Sequence, residues 1–102
     1  MAKLYVAEYS GMAKAWAEPA PIAAPQEPCI TDQTPVVIGA GSLQSAAFSG
    51  ATRVIRVHTD AICSIAIGAN PTATADNKRM PAGATEYFGV TPGHKIAVIT
   101  NT

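Results

Sequence analysis

The chain has 102 residues, the size of one domain, with little to spare for a second. Hydrophobic residues make up 48% of it, charged residues 14%, and the formal net charge is zero. Ordinary hydrophobicity with so few charges argues against a disordered chain and against a nucleic-acid binder held by phosphate contacts. Other subunits tend to cover a weakly charged surface, so the composition favours assembly.

No segment reaches the roughly 18 apolar residues of a membrane-spanning helix, so no membrane partner is expected. The N-terminal MAKLYVAEY has one lysine and no long apolar run, which predicts no secretion signal and synthesis in the cytoplasm. Cys29 and Cys63 are therefore expected to be free thiols, with Cys63 buried on a strand. A disulfide between them is the open alternative.

The chain begins with a predicted strand at Lys3–Tyr9, where Leu4 and Val6 alternate with other side chains. Ser10 and Gly11 end this strand. The next few residues are too short a run to predict a helix. They include Trp16, the only tryptophan, which is expected either in the core or as an anchor on a partner.

A proline-rich stretch follows, with four prolines between Ala17 and Pro28 and another at Pro35. Prolines fix φ and remove ladder donors, which excludes a central strand or an ordinary helix. We expect an extended arm that reaches about 35 Å and contacts a partner through Trp16 and Ile22, and a loose linker is the open alternative. The predicted organisation is a first strand and arm in residues 1–35 and a β body in residues 36–102, within one domain overall.

Two short apolar runs, Val36–Ile38 and Leu43–Phe48, predict two more strands joined by the glycine-rich turn Gly39–Ser42. A phosphate-binding loop is a weak alternative for this turn. The full glycine spacing of such a loop is missing, and no helical pattern follows.

The segment from Arg53 to Gly68 organises the rest of the chain. Its first half alternates apolar side chains with Arg56 and His58, which indicates a half-buried strand. Its second half, which begins at Ile62, is apolar on both sides, as in a strand buried in a sandwich or beneath a neighbouring subunit. Two polar residues separate the halves, so we predict a hairpin. Arg56, His58 and Ile62 are candidate partner contacts.

Two further strands, Thr85–Val90 and Lys95–Thr100, are predicted after a polar loop. The connection Thr91–His94 has proline and glycine where a type II turn requires them. About seven short strands without a convincing helix predict an all-β fold, a jelly-roll-like sandwich. Its predicted core consists of Val6, Ile55, Val57, Ile65, Ile67, Phe88, Ile96 and Val98.

The sequence contains no convincing catalytic or metal-binding pattern. His58, Asp60 and Cys63 are close in sequence, but the alternation places His58 and Cys63 on different faces, which disfavours a nucleophile–base pair. The histidines, cysteines and carboxylates lack metal-ligand spacing. We therefore expect no enzyme, no metal and no cofactor.

The segment from Arg53 to Ile99 resembles the small β proteins encoded among the virion genes of tailed bacteriophages. The residues that carry this resemblance are RVIRVHTDAICSIAIGANPTAT, MPAGATEYFGV and PGHKIAVI. The resemblance implies a jelly-roll-like structural protein of the phage particle, such as a capsid decoration or cement protein. Such proteins sit between capsomers as dimers or trimers.

Two classes of function remain. The first is a virion structural protein, made in the host cytoplasm, that binds the major capsid protein or another virion protein. It acts on the shell or, alternatively, at the head-to-tail connection or the tail, and we expect a homo-oligomer, with a trimer favoured over a dimer. The second is a carbohydrate- or ligand-binding β module.

Overall fold

The computed structural model describes residues 2–14 and 21–101, apart from the side chains of residue 14 and residues 21–23. The described residues form eleven strands and no helix, so the prediction of an all-β protein is confirmed. The strands are β1 (Lys3–Tyr9), β2 (Met12–Lys14), β3 (Pro21–Pro25), β4 (Thr31–Asp32), β5 (Val36–Val37), β6 (Leu43–Gln44), β7 (Val54–Thr59), β8 (Cys63–Gly68), β9 (Lys78–Met80), β10 (Thr85–Gly89) and β11 (Lys95–Thr100).

The first large sheet has the order β10-β7-β1-β4, and β5 also pairs with β1. All of its pairings are antiparallel. The N-terminal strand β1 therefore lies inside the body, with β7 on one side and both β4 and β5 on the other.

The second large sheet has the order β6-β11-β8-β9, again antiparallel throughout. One hydrophobic core lies between the two sheets and takes side chains from both. Six of the eight predicted core residues are buried, while Ile67 and Phe88 pack against the core and are only partly buried. The full cluster is Leu4, Val6, Val36, Ile38, Phe48, Ile55, Val57, Cys63, Ile65, Met80, Ile96 and Val98.

The predicted hairpin between β7 and β8 is wrong, because the two strands belong to different sheets. A two-residue hairpin requires residues that accept positive φ, and neither Asp60 nor Ala61 has positive φ. The hydroxyl of Thr59 instead donates to the Ala61 carbonyl at 2.6 Å and lies 3.3 Å from its amide. The chain crosses here from one sheet to the other, so Thr59 and Cys63 both remain buried.

The outer face of the second sheet is covered by the chain's own loop, residues 69–77. Small side chains at Ser64, Ala66 and Ala97 share this face and leave room for the loop. The amide of Asn101 donates to the Ser64 hydroxyl at 2.6 Å and to the Ala75 carbonyl at 3.2 Å. The apolar character of both sides of β8 is therefore accounted for within one chain.

Strands β2 and β3 form a two-stranded ribbon of their own and pair with neither large sheet among the described residues. The ribbon continues β1 past Ser10, and the amide of Gln26 donates to the Gly11 carbonyl at 2.9 Å where the chain returns. The predicted arm segment thus contributes β3 to this ribbon, as an edge strand with prolines at both ends.

The turn at Thr91–His94 follows the predicted chemistry. Gly93 has φ of 83°, and the amide of His94 donates to the Thr91 carbonyl at 3.1 Å. A type II turn requires positive φ at this third position, so the prediction is confirmed.

Within residues 2–14 and 21–101, no helix has the length and apolarity to cross a bilayer.

Candidate functional site

The outer side of the first sheet carries a row of large side chains exposed to solvent. Tyr5 on β1 is 42% exposed and Tyr87 on β10 is 52% exposed. Arg56 and His58 on β7, between them, are partly buried. Together with Thr85 on β10, these four residues are called the tyrosine face below. Tyrosine and arginine are among the residue types enriched at protein interfaces.

The strand register fixes the arrangement of this face. His58 lies directly between Tyr5 and Thr85, and its Nδ1 forms a 2.8 Å hydrogen bond with the Thr85 hydroxyl. The Tyr5 and His58 rings lie 6.3 Å apart with a tilt of 51°. Arg56 occupies the next row, directly beside Tyr87. The ring–ring contact and the hydrogen bond order this part of the face without a bound partner.

A hollow of about 440 Å³ opens beside this row. Ala7 lies opposite Arg56 on β1, and its methyl group leaves space that a larger side chain would fill. Asp32 follows in the same row on β4. The hollow is lined by Tyr5, Val6, Ala7, Asp32, Gln33, Arg56, His58 and Asp60. It therefore combines an aromatic wall, a cation and two carboxylates.

The guanidinium of Arg56 makes no hydrogen bond or ion pair with any residue that the structure describes. A partly buried cation without a partner retains its full capacity to bind a carboxylate, and arginine can do so with two parallel hydrogen bonds. Asp60, by contrast, accepts a bond from the backbone amide of Lys3 at 3.2 Å. Within residues 2–14 and 21–101, Arg56 is therefore a charged group of the tyrosine face without a partner.

At the arm end, the outer side of the first sheet is closed by the returning chain. The Tyr9 hydroxyl donates to the Glu27 carboxylate at 3.0 Å. Burial, together with this bond and the charge of Glu27, raises the pKa of Tyr9 to about 12. Partial desolvation and the nearby Asp32 raise the pKa of the Cys29 thiol, which favours the protonated thiol over the nucleophilic thiolate. Tyr9 and Cys29 therefore each lie against an acidic side chain of the same chain, Glu27 and Asp32 respectively.

A second groove, of about 640 Å³, lies between the β4–β5 edge of one sheet and β6 of the other. At its base Glu8 is only 2% exposed. Its carboxylate accepts hydrogen bonds from the Ser49 amide at 2.8 Å, the Thr52 hydroxyl at 2.6 Å and the Gln33 side chain at 2.8 Å. Three donors already occupy this carboxylate, so the groove has no free acid at its base.

The structure brings together two of the five predicted contact residues. Arg56 and His58 are neighbours on the tyrosine face. Ile62 is half-buried in the crossing between the sheets and does not line the hollow. Trp16 and the side chain of Ile22 lie outside the described residues. The alternation of β7 predicted Arg56 and His58 correctly as outward-facing residues.

His58 and Cys63 are not brought together, because His58 faces outward and Cys63 faces the core. Burial raises the pKa of the Cys63 thiol, which lies 3.4 Å from the Thr59 hydroxyl. Both cysteines are free, as predicted. Among the described histidines, cysteines and carboxylates, no three are grouped as metal ligands would be.

Sequence reasoning missed Tyr5 and Tyr87 as members of the site. The alternation of side chains could have predicted that both tyrosines face outward, because each occupies an outward position of its strand. Their positions on either side of β7 depend on a strand order that the local sequence pattern does not contain.

No family model, no curated protein and no solved structure matches this chain.

Proposed function

We propose that this chain is a non-enzymatic structural protein of a tailed-bacteriophage particle. Its proposed role is that of a capsid decoration protein, which binds between capsomers and stabilises the shell. The proposal starts from the resemblance of residues 53–99 to small virion β proteins. The structural observation that carries it furthest is the β2–β3 ribbon, which in the described part of the chain pairs with neither large sheet.

The order of the strands supports a jelly roll as the finer description of the fold. From β5 to β11 the chain changes sheets at every connection except the one between β8 and β9. The remaining place in the first sheet, between β5 and β7, is taken by the N-terminal strand β1. This order agrees with that of two interlocked Greek keys, with the closing strand supplied by the N-terminal strand β1.

The length of the ribbon supports a role in contacting neighbours. Strands of six or seven residues give a body about 20–23 Å long at roughly 3.3 Å per residue. The longest dimension of the protein is 48 Å, against 25 and 22 Å for the other two. A ribbon that extends beyond the body allows a small protein to contact subunits that its body does not touch. Binding between capsomers requires such contacts.

Purified particles with and without the gene provide the test. The expected result is that the protein is present in fixed proportion to the major capsid protein, and that shells lacking it break at lower temperature. Density located at the neck or tail by electron microscopy would place it in a head-to-tail or tail role instead. Absence from purified particles would refute the proposal.

The contribution of the ribbon can be tested separately. Gly11 and Gln26 are already hydrogen-bonded, so an Asn-Gly turn between them can replace residues 12–25 and keep the body intact. The expected result is an unchanged melting temperature of the isolated protein and a loss of occupancy on purified shells. If melting falls and occupancy does not, the ribbon belongs to the packing of the domain itself.

A second candidate function is a carbohydrate-binding module, which the hollow beside the tyrosine face favours. The tyrosine ring of Tyr5 offers a stacking surface, and Arg56, Asp32 and Asp60 offer hydrogen-bonding groups. A glycan-dependent rise in the melting temperature, abolished by Tyr5→Ala and retained by Leu43→Ala, would support this function. Leu43 is a suitable control because it is exposed and lies on the other sheet.

A further inference from the structure

Of the two outer sheet faces, only that of the first sheet carries exposed aromatic side chains in the described part of the chain. The second sheet is covered by the loop at residues 69–77, where the Ala73 amide donates to the Ser42 hydroxyl at 2.8 Å. Ala73 is 2% exposed, so this cover is closely packed. Tyr5 and Tyr87 have no such cover. A partner that docks on a sheet face has the tyrosine face available.

The sheet edges carry features that oppose strand-by-strand docking. On β10 the register places Glu86 on the same side as the buried Val57, so a charge points inward at this edge. On the neighbouring edge, the Lys78 ammonium lies 4.9 Å from the centre of the Phe88 ring. The opposite edges consist of strands of only two residues. Inward charges, edge lysines and short edge strands are all devices against edge pairing.

The tyrosine face suits an extended, proline-rich segment that carries an acid. Aromatic-lined grooves bind polyproline-like segments, whose ordering cost is low because proline has already restricted the chain. Arg56 supplies a guanidinium with no partner among the described residues, which is the group that pairs best with a carboxylate. The hollow of about 440 Å³ beside it leaves room for a side chain from the partner.

The chain itself contains a segment of this chemistry. Between β2 and β3 the sequence AWAEPA carries one tryptophan, Trp16, and one acid, Glu18, and β3 begins and ends with proline. The other acid of the proline-rich stretch is Glu27, which already accepts a bond from Tyr9 of its own chain. Glu18 lies outside the described residues and is therefore the acid of this stretch that we assign to Arg56.

The ribbon continues β1 beyond Tyr9, whereas Tyr5 lies several residues back along the same strand. Residues 3–14 span about 40 Å when extended at roughly 3.3 Å per residue, in agreement with the 48 Å long axis. A ribbon that continues β1 beyond Tyr9 starts at the end of the strand away from Tyr5, so the tyrosine face of a second copy is a suitable binding surface for it.

We propose that the β2–β3 ribbon of one copy docks on the tyrosine face of the next, with Glu18 paired to Arg56 and Trp16 against Tyr87. The contact joins two different surfaces, so it is heterologous and builds a closed ring or an open array. A closed ring of three agrees with the trimer expected from the sequence. This proposal does not depend on the phage function, because it concerns the purified protein alone.

A complementation experiment tests it with the full chain. One variant disables the face by Arg56→Glu with Tyr87→Ala, and the other disables the ribbon by Trp16→Ala with Glu18→Arg. Sedimentation velocity should show the wild type associated, and each variant should bind itself at least roughly tenfold more weakly. An equimolar mixture should give one-to-one heterodimers, because one intact face then meets one intact ribbon.

Two further variants complete the design. Leu43→Ala, an exposed apolar residue away from the face, should associate like the wild type. The single chain that carries both Arg56→Glu and Glu18→Arg reverses both charges and should recover most of the association. At concentrations too low for association, the melting temperature of the face variant should match that of the wild type, since Tyr87 is 52% exposed.

Several outcomes would overturn the proposal. A wild type that stays monomeric at high concentration excludes it, and so does undiminished association of the face variant. If the ribbon variant associates normally while the face variant does not, two tyrosine faces bind each other directly. If the mixture of variants stays monomeric, face and ribbon do not form one contact. None of these outcomes bears on whether the protein occurs in phage particles.

Discussion

The carboxylate of Glu8 accepts a 2.6 Å hydrogen bond from the hydroxyl of Thr52, 44 residues further along the chain. Both side chains are buried, and Thr52 is also 2.7 Å from the Ser49 hydroxyl. A buried carboxylate is stable only where donors replace its water, and here three donors do so. This contact ties the middle of the first sheet to the segment that leads into β7.

We expect Glu8→Ala to lower the free energy of unfolding by about 3 kcal/mol, because it leaves buried donors without an acceptor. Glu8→Gln retains one acceptor oxygen and should cost less, about 1–2 kcal/mol. Urea denaturation measures both. The control is Asp76→Ala, which removes an exposed loop carboxylate and should stay within about 0.5 kcal/mol. Equal losses for Glu8→Ala and Asp76→Ala would contradict a stabilising role of Glu8.

Truncating a fully buried core side chain should cost more stability than truncating a partly buried side chain at the edge of the core. Ile55 is fully buried, so Ile55→Ala should cost about 4 kcal/mol. Phe88 is only partly buried, beneath Lys78, so Phe88→Ala should cost about 2 kcal/mol rather than the 3–5 of a buried ring. Thermal and chemical denaturation of the two variants test this order. A larger loss for Phe88→Ala would mean that the ring is buried in solution.

The inward side of the strands was predictable because it depends on a local period of two. Ile55, Val57 and Ile65 follow this period and are buried as predicted. Phe88 obeys the same period, yet it lies on an edge strand, and the sequence contains no sign of edge position. A periodic pattern therefore predicts which way a side chain points but not how deep it lies.

The features that were not predicted depend on contacts between residues far apart in the sequence. The segment from Thr59 to Cys63 was predicted as a turn within one sheet, whereas the chain changes sheets there. Both conformations bury the same apolar positions, so the local pattern does not distinguish them. The burial of Glu8 depends on distant donors in the same way. Of the tyrosine face, Arg56 and His58 were predicted because they share one strand, and Tyr5 and Tyr87 were not.

Alanine substitutions at two glycines distinguish backbone strain in a turn from steric crowding. A Cβ added at Gly93 or at Gly41 meets no atom within 4 Å, but only Gly93 has positive φ. Gly93→Ala should therefore destabilise the protein by about 1 kcal/mol through backbone strain alone. Gly41→Ala is the matched control and should be neutral or stabilising by up to roughly 1 kcal/mol. The difference in denaturation midpoint tests the type II turn, and equal midpoints would argue against it.

The loop cover of the second sheet should be sensitive to side-chain size beneath it. Ala97 is fully buried and faces the loop, so Ala97→Leu should displace residues 69–77 and cost about 1–3 kcal/mol. Limited proteolysis should then cut this loop faster than in the wild type. Ala82→Leu, on an exposed turn, is the control. Unchanged cleavage and stability in Ala97→Leu would show that the loop does not pack on this face.

The raised pKa of Tyr9 makes a specific prediction for alkaline stability. Burial first, and the bond to Glu27 second, raise this pKa to about 12 in the folded protein, whereas an unfolded tyrosine ionises near pH 10. The folded state therefore holds a proton that the unfolded state releases, and stability from this source falls as pH rises from about 10 through about 12. Below pH 10 the contribution is fully present.

Tyr9→Phe removes this titration, so its free energy of unfolding should fall less steeply than that of the wild type across the same interval. Urea denaturation at a series of pH values measures the difference, and tyrosinate absorbance of the wild type should include a late-ionising phenol that Tyr9→Phe lacks. Glu27→Gln should lower the pKa of Tyr9 but leave it above its ordinary value, because burial remains. A difference between wild type and Tyr9→Phe that is independent of pH would mean that Tyr9 is not buried against Glu27 in solution.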